Sequence, residues 1–130
     1  MATTNRYRSG LERQVARQLE LAGRPFGFEE DKIDYVKPAR RSKYNPDFHV
    51  LKKRDGSKMY LESKGRFLTE DRAKHLLIRD QHPELDIRFV FQNANARISK
   101  TSSTTYARWC TDKGFKFSDK GQIPKDWLNE

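Results

Sequence analysis

Residues 45–65, NPDFHVLKKRDGSKMYLESKG, constrain this chain more than any other stretch. Two runs with strand-like alternation flank Asp55-Gly56, a strong hairpin signal, which predicts strands over 47–52 and 58–64. If Asp55-Gly56 is a two-residue turn, Val50 faces Leu61, His49 faces Glu62 and Asp47 faces Lys64. Directly opposed residues and residues two apart share a sheet face. Asp47, His49, Glu62 and Lys64 are therefore expected on one face, and Phe48, Val50, Leu61 and Ser63 on the other.

Three charged groups converging on one face of a sheet need a reason. An Asp47–Lys64 ion pair on a solvated face is common and contributes little. Glu62, however, has no lysine of its own and crowds Asp47 as a diagonal neighbour, and like charges in close quarters call for a cation or a proton. FVF at 89–91 predicts a well-buried neighbouring strand, so the sheet is not all surface. Hard oxygen ligands at this separation suit Mg²⁺, with Mn²⁺ as a substitute, and both cations also take phosphate oxygens. Such a metal clamps a phosphodiester and lowers the pKa of bound water, with Lys64 placed to stabilise the phosphorane or orient the water. No glycine-rich phosphate loop is present, which excludes P-loop nucleotide chemistry and a nucleotide cofactor of that kind.

The chain of 130 residues has the length of one domain, and 27 Lys and Arg against 18 Asp and Glu give it a net charge of +9. Cations cluster in KPARRSK (37–43) and KKRDGSK (52–58), favouring a polyanion over a membrane surface as partner. The single cysteine, Cys110, excludes an internal disulfide. The N-terminal residues do not resemble a signal peptide, and no apolar run reaches membrane length. A soluble protein of the cytoplasm is expected.

The rest of the pattern predicts a loose basic arm over 1–8 and a single domain over 9–130. A helix over 9–22 has Leu11, Val15, Leu19 and Ala22 on its apolar stripe. A strand follows over 26–36, then a proline-bounded extended connector over 37–46. After the hairpin come a helix from Glu70 to Gln81 capped by Thr69, a buried strand over 86–91 and a loop over 92–103. A helix over 104–113, a short FKF strand and a last helical turn in PKDWLN complete the chain. Interleaved helices and strands place it in the α/β class with a mixed sheet.

Pro46-Asp47, fourteen residues, then Glu62-Ser63-Lys64 form a PD…ExK pattern. RSGLE (8–12), PDF (46–48), ESKG (62–65), KHLLIRDQHPELDIRFVF (74–91) and IPKDWL (123–128) follow in order along the chain. Together these resemble the endonuclease I family of the T-odd bacteriophages, which are Holliday-junction resolvases of the restriction-endonuclease-like fold. The resemblance implies a metal-dependent endonuclease that cuts four-way junctions and other branched DNA on opposing strands. It implies Glu12, Asp47, Glu62 and Lys64 as the catalytic set, and Asp47, Glu62, Glu12 and the Ser63 carbonyl as the metal shell. It further implies a domain-swapped homodimer in which residues 9–36 cross to the partner and 37–46 bridge. On the residues alone, Glu12 also reads as the last member of a Ser9 capping box. Phosphate contacts are expected from Arg6, Arg8, Lys37, Arg40, Arg41, Lys43, Lys74 and His75, with packing the other reading of His75. Trp109 and Trp127 read as core. A less specific nuclease of the same fold, and a non-catalytic protein that binds branched DNA, are the alternative functions.

Overall fold

A computed structural model describes residues 6–37 and 40–130, without the side chains of Lys37 and Arg40. The phosphate-contact expectations for those two side chains, and residues 1–5 of the expected arm, lie outside the described residues.

Helix α1 (Gly10–Leu21) begins where the Ser9 hydroxyl accepts the Glu12 N–H. It buries Leu11, Val15, Ala16 and Leu19. Ala22, expected on that stripe, is the exposed C-cap, and Ala16 takes its place. The run over 26–36 is two strands, β1 (Phe26–Phe28) and β2 (Ile33–Lys37), not one. The break falls at Glu29, a non-glycine residue at φ 55. The connector expected to run extended over 37–46 instead contributes Lys37 to β2 and Arg40–Tyr44 to β3, which pairs antiparallel with β2, so the chain doubles back within it.

β4 (Phe48–Leu51) and β5 (Lys58–Lys64) form the central hairpin, followed by α2 (Thr69–Gln81), β6 (Asp86–Phe91), α3 (Tyr106–Lys113), β7 (Lys116–Ser118) and α4 (Lys125–Leu128). The main sheet runs β1-β4-β5-β6-β7, with β2 and β3 as a separate two-stranded sheet. β1, β4 and β5 are antiparallel neighbours, whereas β5, β6 and β7 are parallel through α2 and α3. The architecture is mixed α/β, with helices flanking a mixed sheet.

Period-two alternation sorts the core to the two faces. Met59, Leu61 and Val90 pack with Val15, Leu19, Phe48 and Trp127 on the α1 face. Phe89 and Phe91 pack with Phe67, Trp109 and Phe115 under α3, while Tyr60 and Ile87 meet Tyr44 and Ile78 under α2. Both tryptophans are core, as expected. Tyr7, which fell within the arm expected over 1–8, is buried, edge-on to Phe28 at 4.5 Å. Arg88, buried in β6, is held by the carboxylates of Asp86 and Glu130 and lies 5.2 Å from the Trp127 ring. Among the described residues no helix is long and apolar enough to cross a membrane.

Candidate active site

The hairpin register differs from the expected one by two residues. Phe48 pairs with Leu61, His49 with Tyr60 and Val50 with Met59. The loop is longer than a two-residue turn: the Lys52 N–H donates to the Ser57 carbonyl, and Gly56 sits at φ +72. A slip of two keeps every residue on its face. It changes who opposes whom: continued by one step, the register puts Asp47 directly opposite Glu62, and Lys64 beyond the end of β4.

Glu62 is 4% exposed, among the most buried acids in the chain. Its Oε1 accepts from the Tyr44 hydroxyl at 2.8 Å and from the Asp47 N–H at 3.3 Å. Its Oε2 lies 3.8 Å from the Lys64 ammonium, which also lies 3.4 Å from Asp71. Burial, then the charge of Asp47, push the Glu62 carboxyl up to about 7 against the pull of Lys64 and the Tyr44 hydrogen bond. The Asp47 carboxyl is also raised, chiefly by burial, with the charge of Glu12 adding to it. Ser63 opposes that shift, donating both its N–H and its hydroxyl to Asp47 Oδ2 at 2.9 and 2.8 Å. Asp47, one residue before β4, thus turns its carboxylate to Ser63.

Only half of the expected capping box forms: Ser9 accepts the Glu12 N–H, while the Glu12 carboxylate accepts from the N–H of Arg8, one residue before the N-cap. It is near enough for its charge to act on Asp47. Among the described residues no three carboxylate, imidazole or thiol groups converge closely enough to cage an ion. What the site offers is an opposed pair of desolvated carboxylates whose mutual repulsion a cation would relieve. That fits Mg²⁺, which is held by one or two carboxylates and keeps several waters.

His49 does not join the carboxylates. Its Nδ1 bonds Asp31 at 2.6 Å, and Asp31 is paired with Lys58 at 2.7 Å. His75 is fully buried, edge-on to Tyr44 at 5.1 Å and to Phe89 at 4.7 Å, so the packing reading holds and the phosphate contact does not. Arg8 is paired with Glu29 and Lys43 with Asp34, whereas Arg41 is exposed. Arg6 lies over the Tyr7 and Phe28 rings, and Lys74 lies 5.5 Å from the Tyr44 ring.

Tyr44 and Asp71 are the site residues that sequence reasoning missed. Asp71 carries a readable signal, since it sits in the first turn of α2 and accepts the Leu68 N–H there. Tyr44 carries only its place three residues before Asp47.

The sequence profile described as phage endonuclease I matches residues 1–130. The chain belongs to the phage endonuclease I family. Endonuclease I of Escherichia phage T7 is 46% identical over 124 residues, which cover 95% of this chain and 79% of that protein. Endodeoxyribonuclease 1 of Enterobacteria phage T3 is 45% identical over 114 residues, covering 88% and 72%. Membership bears out the resemblance carried by PDF and ESKG, and the site described above lies inside the matched region.

Proposed function

We propose that this member of the phage endonuclease I family is a Mg²⁺-dependent, structure-selective DNA endonuclease that resolves four-way junctions as a domain-swapped homodimer. The observation that carries the chemistry is the opposition of Asp47 and Glu62, both desolvated, with Lys64 beside Glu62 Oε2. Asp47 and Glu62 would hold the cation, with the Ser63 carbonyl and Glu12 completing the shell. When bound, Mg²⁺ would polarise a phosphoryl oxygen and acidify a water. Tyr44 and the Asp47 N–H fix Glu62 through Oε1 and leave Oε2 toward Lys64. The ammonium of Lys64, held between Glu62 and Asp71, is placed to neutralise charge developing on the phosphorane. A purely DNA-binding protein has no use for buried, mutually repelling carboxylates, which weighs against the non-catalytic alternative.

The swap has geometric support in β2 and β3. Their pairs run from Lys37↔Arg40 to Ile33↔Tyr44, symmetric about the 38–39 connection. If residues 33–44 ran straight on, two copies would pair around a two-fold axis with the same partner residues. α1 and β1 would then seat on the partner's β5 and β4 through the contacts seen here within one chain. Each site would be composite, with Glu12 supplied by the other subunit.

The test compares cleavage of a four-way junction and a linear duplex of the same sequence, each with Mg²⁺ and with chelator. The proposal expects Mg²⁺-dependent cleavage with strong preference for the junction. Equal cutting of both substrates would leave the less specific nuclease, and no cutting of either would leave the DNA-binding protein.

A further inference from the structure

At the C-terminal edge of the parallel strands, the segment after β5 and the segment after β6 flank an open, shallow pocket of about 330 Å³. Three cations line it: Arg66 from the first segment, Arg97 and Lys100 from the second. All three are exposed, and among the described residues none forms an ion pair or a side-chain hydrogen bond. Arg8, Lys43, Lys58 and Lys64, by contrast, already have carboxylate partners. Between the cations lies an apolar ledge of Ile98 and Leu68, the latter one of the few large hydrophobic side chains left exposed, at 43%.

The segment carrying Arg97 and Lys100 is held in shape. Tyr106 N–H donates to Ala96 O at 2.9 Å and Ile98 N–H to Thr104 O at 2.8 Å, with Arg97 and Thr105 bridged between them. Its base is tied down where Ala94 N–H donates to Asp119 at 2.8 Å and Gln92 N–H to the Lys64 carbonyl at 3.1 Å. Arg66 follows Lys64 by two residues, a backbone reach of at most roughly 7 Å. The lining of the pocket therefore begins within two residues of Lys64, the proposed catalytic lysine.

Unpaired cations around an apolar ledge match a sugar–phosphate chain, whose phosphates need charge and whose deoxyriboses offer apolar surface. We infer that the Arg66–Arg97–Lys100 pocket binds the DNA backbone immediately flanking the scissile phosphate, with the sugar on Leu68 and Ile98. The inference rests on the nuclease reading and adds to it the surface that sets the register of the cleaved strand.

Two measurements test it. Junction affinity is measured against salt concentration, in chelator, for the wild type and for Arg66→Gln, Arg97→Gln and Lys100→Gln, singly and combined. Each neutralised phosphate contact should lower the slope of log affinity against log salt by about one, and the triple variant should bind at least tenfold more weakly. Unfolding midpoints matching the wild type would show that the fold is intact. If the wild type binds and the folded triple variant keeps its slope, the pocket is not a DNA site and the inference is overturned. If the wild type itself binds no DNA, the nuclease reading fails first, a different result. The second measurement localises the contact. Ser99→Cys carries a photo-crosslinker, and Cys110, buried with its thiol pushed up to about 12, does not compete for labelling. Crosslinks within a few nucleotides of the cut are expected; crosslinks confined to distant arms would overturn the placement.

Discussion

The hydroxyl of Tyr44 donates to Glu62 Oε1 at 2.8 Å, with both side chains buried, so strand β3 ends on the carboxylate at the centre of the site. Tyr44→Phe removes that donor and leaves the weaker 3.3 Å bond from the Asp47 N–H. Loss of such a supporting partner typically lowers metal affinity or activity about 10–100-fold. We expect Tyr44→Phe to need more Mg²⁺ for half-maximal junction cleavage while binding the junction normally in chelator. An unchanged Mg²⁺ titration would show that the hydrogen bond does not position Glu62.

Glu62 also makes a prediction about stability. In the metal-free protein its carboxyl rises from 4.5 to about 7. The folded state therefore holds this proton more tightly than the unfolded chain does. The resulting stabilisation is complete below about pH 4.5 and is lost as pH rises through 7. Glu62→Gln is uncharged and keeps an acceptor for Tyr44, so it should be more stable than the wild type at pH 8 by on the order of 3 kcal/mol, and closer to it at pH 5. Thermal unfolding of both proteins in chelator at the two pH values checks this. A wild type that gains on the variant between pH 5 and pH 8 would contradict it.

Several elements were legible from residue order alone. β5 and β6 have the expected bounds because alternation and breakers agree there, and Gly114, at φ +80, ends α3 as expected. The hairpin register was not legible. Asp55 accepts from both the N–H and the hydroxyl of Ser57, a local bond that favours a longer loop over the two-residue turn. Because the slip is even, Phe48, Val50 and Leu61 keep the core face read for them, whereas Asp47, ahead of β4, turns its carboxylate to Ser63 from the other face. The break in the 26–36 run was hidden because Glu29 is not a residue type that marks positive φ. Tyr44 was hidden for another reason: its hydrogen bond spans 18 residues, and nothing local in KYNPDF requires it. His75 illustrates the limit of reading charge and polarity, since a histidine between lysine and leucine turned out to be wholly buried.

The cations of β3 should not behave alike. Arg41 is exposed, while Lys43 is paired with Asp34 at 2.8 Å. Arg41→Gln should reduce the salt slope of DNA binding by about one, and Lys43→Gln by less, because Asp34 already offsets part of its charge. Equal slopes for the wild type and Arg41→Gln would remove β3 from the DNA-binding surface.

The composite site predicts complementation. Glu12→Ala and Asp47→Ala chains, each inactive alone, are unfolded and refolded together. In a swapped heterodimer one site collects both substitutions and the other collects none, so nicking of one strand should return. In an unswapped dimer every site carries one substitution, and a verified heterodimer that stays inactive would contradict the swap.

In the proposed mechanism Asp47 and Glu62 form a cation-dependent cleavage site with Lys64. Its most direct test is junction cleavage in Mg²⁺, measured beside junction binding in chelator, for the wild type, Asp47→Asn, Glu62→Gln and Lys64→Ala. All four proteins should bind the junction with similar affinity, and only the wild type should cut. Near-wild-type cleavage by Asp47→Asn or Glu62→Gln would contradict it.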